Sequence, residues 1–150
     1  MKLAEALQIR ADLQNKISDL GERLYTNASY QEGEKPLENP ISLKNELELA
    51  IVELEKMIYR IHLTNSSTET EAGTLTKLLA KREVLQLKLS AYNRLANGTS
   101  EIQSRYSRNE IKLFPSVDIA KFRKEIDSIS RELRELDNLI QATNWLTELL

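Results

Sequence analysis

The chain has no cysteine and a single histidine in 150 residues. Disulfides, thiolate metal sites and cysteine nucleophiles are therefore excluded. The one imidazole, His62, lies beside Ile61 in a helical pattern. No carboxylates stand at EF-hand or His-Glu metal spacing, so no metal and no cofactor are expected. Four glycines and three prolines leave little turn chemistry, which favours a few long helices over many short strands. No apolar run approaches the ~18 residues of a membrane-spanning helix, so no membrane partner is expected. The opening MKLAEALQIRADLQ is amphipathic and carries acids, unlike a secretory signal. The expected location is the cytoplasm. There is no phosphate-binding glycine loop and no nucleophile elbow. The serines sit mostly in caps and loops, far in sequence from His62, and the reading leans away from an enzyme.

What is present is helical pattern. Apolar residues make up 41% and charged residues 29%, the balance of one soluble globular domain over residues 1–150. A first helix is expected from about Lys2 to Tyr25. Its seam is Leu3, Ala6, Leu13, Ile17, Leu20 and Leu24 at three- and four-residue spacing, with Arg10 at one seam position. Gly21 is the residue type a close helix crossing would use. Asn39-Pro40 reads as an N-cap with proline in the first turn, opening a second helix to about Leu63. Its seam is Leu43, Leu47, Ala50, Leu54, Met57 and Ile61, widened by Ile51 and Ile58, as for a multi-helix core. Thr64–Thr74 reads as a loop. The third helix runs from Leu75 to Ala96, closed by Asn97-Gly98, and its apolar breadth makes it the expected most buried helix. The fourth, capped by Ser116 or Asp118, carries Ile119, Phe122, Ile126, Ile129, Leu133, Leu136 and Ile140. The fold class is mainly α: an antiparallel four-helix bundle with long coiled-coil-like helices. One short strand or β-ribbon is expected in the connector before the last helix.

That connector, Arg105–Asp118, has side-chain pattern without helical pattern. Ile111 and Leu113 alternate with Glu110 and Lys112 and are stopped by Pro115, as in a short strand. A lone strand must pair, either with a ribbon from Thr68–Glu71 or with a second subunit. Ile111, Leu113 and Phe114 are thus interface candidates. So are Trp145, Leu146, Leu149 and Leu150, because an apolar end needs something to cover it. Arg105, Tyr106, Arg108 and Lys112 form a basic stretch able to hold a phosphate or carboxylate. Nucleic acid is disfavoured by the acidic overall charge and the absence of a recognition motif. Charge is also split. Residues 30–76 hold nine Glu against four Lys and Arg, whereas 77–124 hold eleven Lys and Arg against four acids. Helical carboxylates such as Glu53, Glu55, Glu132, Glu135 and Asp137 flank seam leucines and point outward, unlike the clustered magnesium ligands of all-helical nucleotide pyrophosphatases.

An internal echo pairs Ile61-His-Leu-Thr-Asn-Ser-Ser-Thr-Glu69 with Ile140-Gln-Ala-Thr-Asn-Trp-Leu-Thr-Glu148. Two readings follow: a polar cluster of Thr64, Asn65, Thr143 and Asn144 at one pole, or a helix-closing sequence used twice.

MKLAEAL…RADLQ, QEGE before a proline, RYSRNEIK in the connector and NWLTELL at the end together resemble a group of small bacterial proteins often labelled septicolysin, over essentially the whole chain. That resemblance implies no site residues. Its label implies a thiol-activated, cholesterol-dependent cytolysin, for which this chain lacks the thiol, the Trp-rich loop, the secretion signal and the length. The expected function is a non-catalytic self-associating or partner-binding protein, with a homo-oligomer as the expected assembly and a protein partner as the other form. The alternative is a helical bundle binding a small anion or nucleotide, with a metal-dependent hydrolase as its enzymatic form.

Overall fold

The structure, a computed structural model, describes residues 1–104 and 114–150, the side chains of 99–104 excepted. The fold is mainly α, with four helices and one short antiparallel ribbon among the described residues. Two compact units divide the chain: Met1–Thr68 with Thr143–Leu150, and Glu69–Ala142.

The first unit is an antiparallel pair, α1 (Leu3–Thr26) and α2 (Pro40–Ser67). The three-four seam becomes its core: Leu3, Ala6, Leu13 and Leu20 are buried on α1, and Leu43, Ala50, Met57 and Ile61 on α2. Ile17, Leu24 and Leu47 pack against Leu20, Leu43 and Ala50. Lys16 Nζ reaches Glu46 Oε1 at 3.1 Å across the pair. The buried Asn27 closes α1 and fixes the following loop. Its Nδ2 donates to Arg23 O and its Oδ1 accepts from Glu38 N, both at 2.9 Å. Arg23 then ion-pairs with Glu38. Asn39 caps α2, with Oδ1 accepting from Ile41 N at 2.9 Å, and Pro40 occupies the first turn.

Three sequence expectations change here. Nothing lies within 4 Å of a Cβ built on Gly21, so no helix among the described residues crosses closely there. Ile51 is exposed and Ile58 half-buried, so the stripe on α2 serves one face. Finally, α2 continues through Ser67 instead of ending at Leu63. The polar run supplies its own helix-end partners: Ser66 and Ser67 Oγ donate to Leu63 O at 2.8 and 3.0 Å, and Thr68 Oγ1 donates to Thr64 O at 2.7 Å. Carbonyls that a helix end leaves open are thus satisfied locally.

In the second unit, β1 (Glu69–Thr70) pairs with β2 (Gly73–Thr74), Glu69 opposite Thr74 and Thr70 opposite Gly73. Gly73 has φ +117°, a conformation that favours glycine, and the turn is held by Thr70 Oγ1 donating to Gly73 O at 2.7 Å. The ribbon therefore lies between α2 and α3, and is made within the Thr68–Thr74 segment itself. Of the strand expected at Glu110–Phe114, residues 110–113 lie outside the described residues and Phe114 is not in a strand. Next comes α3 (Leu75–Ser104), with Thr74 Oγ1 accepting from Lys77 N, and then α4 (Ile119–Leu146), with Asp118 Oδ1 accepting from Lys121 N. The two run antiparallel, joined by Lys81–Glu132 at 2.7 Å, Arg82–Asp137 at 3.7 Å and an edge-on Tyr92–Phe122 contact at 5.2 Å.

α3 passes through Asn97-Gly98 instead of ending at Ala96. Neither residue has positive φ, since tolerance of the left-handed region permits a helix end without imposing one. Nor is α3 the most buried helix among the described residues: Leu75, Leu78 and Ala96 are buried, but Val84 and Leu87 are exposed. Apolar residues spread round a cylinder cannot all face its one packed side.

Candidate interaction surface

The carboxyl end of the chain is fixed by its main chain and open at its side chains. Thr147 N donates to Thr143 O at 2.9 Å, closing α4. The next residues run extended along the start of α1: Leu3 N donates to Thr147 O and Leu149 N to Met1 O, both at 2.9 Å, around a Lys2–Glu148 bridge. Glu148 gathers two cations, Lys2 Nζ at 2.7 Å and the Met1 ammonium at 3.0 Å. The Lys2 hydrogen bond, followed by that of the Met1 ammonium, holds the Glu148 carboxyl below its ordinary range. Leu150 is tied to α2. Its N donates to Thr64 Oγ1 at 3.0 Å, and Arg60 Nε donates to its main-chain O at 2.6 Å. Thr64, 1% exposed, also donates to Arg60 O at 2.8 Å.

With the backbone so engaged, Trp145, Leu146 and Leu150 remain 62%, 77% and 57% exposed. Leu149 is half-buried. The helix that holds Leu150 adds exposed Tyr59 and Leu63. The expected polar cluster is placed in part. Thr64 joins the C-terminal segment, whereas Asn65, Thr143 and Asn144 are half-buried side chains of the same unit. The echo closes a helix twice: Thr68 N to Thr64 O and Thr147 N to Thr143 O are both 2.9 Å. In each copy the following Glu enters a β pairing, Glu69 with Thr74 and Glu148 with Lys2.

Of the other candidates, Phe114 is exposed at 80%, and Arg105, Tyr106, Arg108, Ile111, Lys112 and Leu113 lie outside the described residues. The second unit holds an open groove of about 640 Å³ lined by Leu78, Val84, Leu85, Leu136 and Leu139, with Lys81 and Glu132 at its rim. Among the described residues no three His, Asp or Glu side chains cluster as metal ligands, and no helix is long and apolar enough to cross a membrane.

A model of the family of unknown function DUF6847 matches residues 10–149. The chain belongs to this family. It is also similar to a crystal structure described as a functionally unknown conserved protein from Corynebacterium diphtheriae, at 41% identity and a TM-score of 0.96. That match covers 100% of this chain and 99% of the other. No curated protein matches the chain. The likeness to the solved structure supports the fold, and the activity is left to be argued from the surface.

Sequence reasoning missed Lys2, Arg60 and Glu148 as the residues that seat the C-terminal segment. Nothing in local spacing joins residues so far apart in the chain. The outer face of α2 was also missed, although its three-four spacing is legible.

Proposed function

We propose that the protein is a non-catalytic cytoplasmic helical protein that acts by contact, through self-association. One observation carries this: Trp145, Leu146 and Leu150 are exposed on a segment whose backbone is hydrogen-bonded in place. A backbone held in this way has already lost freedom that binding would otherwise cost it. Trp is also enriched among the residues that dominate interfaces. A floppy apolar tail would carry no such argument.

The test is native mass spectrometry of the full chain beside the double variant Trp145→Ser/Leu146→Ser. Deletion of the segment is a poorer test, because it also removes the bonds to Met1 and Thr64. A discrete oligomer that falls to a monomer in the variant is expected. A native chain that is already monomeric would sink the reading, and an unchanged mass in the variant would remove this segment from the contact. The anion-binding alternative makes a separate demand: a ligand at a hundred times its dissociation constant should stabilise the fold by about 2.7 kcal/mol. A thermal-shift panel of nucleotides, sugar phosphates and divalent metals should stay flat if contact is the function.

A further inference from the structure

A second stripe runs along α2. Leu49, Val52, Lys56, Tyr59 and Leu63 alternate at three- and four-residue spacing, as the core stripe does. At about 100° per residue they fall on the side opposite Leu43, Ala50, Met57 and Ile61. Leu49 and Tyr59 are 72% and 67% exposed, and Val52 and Leu63 are 46% and 43% exposed. Lys56, Glu53 and Glu55 are exposed as well, and among the described residues no ion pair engages them. We infer that this stripe is the seam of an antiparallel two-fold contact with a second copy of the chain. The inference rests on the self-association reading and extends its contact from Trp145, Leu146 and Leu150 along the outer face of α2.

Three features of the stripe select this occupant. The spacing is that of a helix packed along another helix, held over about 21 Å from Leu49 to Leu63. A helix apolar on two opposite faces needs a partner on each, and α1 covers only one. Its Leu49–Tyr59 part also complements itself, as a two-fold contact requires.

Lys56 sets the direction. In a parallel pair the two Lys56 ammonium groups would meet at one level of an apolar seam. In an antiparallel pair with Leu49 opposite Tyr59 of the second copy, Lys56 falls opposite Val52. It then lies near the level of Glu53 and Glu55 of that copy, so unpaired acids meet an unpaired base. A single lysine at a seam position is a known means of fixing register at some cost in stability.

The absence of cysteine makes the register directly testable. Leu49→Cys and Tyr59→Cys variants are oxidised mildly, each alone and as an equimolar mixture. The mixture should give several-fold more cross-linked dimer than either variant alone, whereas a parallel pair gives the reverse. Val52→Glu should reduce the native mass to the 17.2 kDa monomer with an unchanged helical circular dichroism signal, since the site is outside the core. A dimer that survives Val52→Glu, with no preference for the mixed cross-link, would overturn the seam. If that dimer is instead lost in Trp145→Ser/Leu146→Ser, self-association stands without this seam. A native chain that is monomeric throughout the cross-linking concentrations overturns both.

Discussion

Thr64 shows how much one side chain can organise. Its hydroxyl donates along its own helix and accepts from the backbone of Leu150, in a site with almost no access to water. Thr64→Val keeps the shape but leaves the Leu150 N–H without its acceptor, which should cost about 1–3 kcal/mol in urea unfolding; Thr64→Ser should restore most of it. Glu148 gives the matching pH prediction. Its carboxyl is lowered chiefly by Lys2 and then by the Met1 ammonium, and Glu38 is lowered chiefly by Arg23. A carboxylate that is more acidic folded than unfolded stabilises the fold above its unfolded pKa. That contribution fades as pH falls through the lowered folded value. Thermal midpoints should therefore decline on the acid side of the ordinary carboxylate range. The decline should be modest, because Glu148 is largely, and Glu38 partly, open to water and salt. Glu148→Gln should flatten part of it.

At the scale of elements, the seam residues were legible and the helix ends were not. Apolar spacing found the buried faces of α1, α2 and α4, because burial follows the 3.6-residue period directly. Helix ends depend on hydrogen bonds that compete locally, and Ser66, Ser67 and Thr68 extend α2 where their polarity suggested a loop. Glycine was over-read. Gly21 lies in mid-helix with open space around it, so Gly21→Ala should stabilise by up to ~1 kcal/mol. Leu20→Ala, one residue earlier and 1% exposed, should instead cost about 2–5 kcal/mol. Chemical denaturation of the two variants side by side would separate a helix's backbone preference from its packing.

For the whole molecule, the two units mean that unfolding need not be a single step. Circular dichroism and the fluorescence of Trp145 can report different transitions, since Trp145 lies in the first unit. A protein that acts by contact should leave vesicles containing cholesterol intact, so that they retain an entrapped dye when it is added. Dye release would refute that expectation and point to lysis. The site was less legible than the fold. Trp145, Leu146 and Leu150 stood out as an uncovered apolar end. Arg60, Lys2 and Glu148, which hold that end, are ordinary surface charges until the chain ends meet.

The sequence by itself determined the helical class, the four helices, the buried faces of α1, α2 and α4, the cap at Asn39 and Asp118 as one of two candidate caps. Each follows from periodicity or from a side chain acting within a few residues. Only the tertiary structure decided where the ribbon lies, that the C-terminal backbone pairs with the start of α1, and that α2 keeps an apolar face open. Pairing and exposure belong to groups distant in sequence, and spacing along one segment carries no record of what another segment covers.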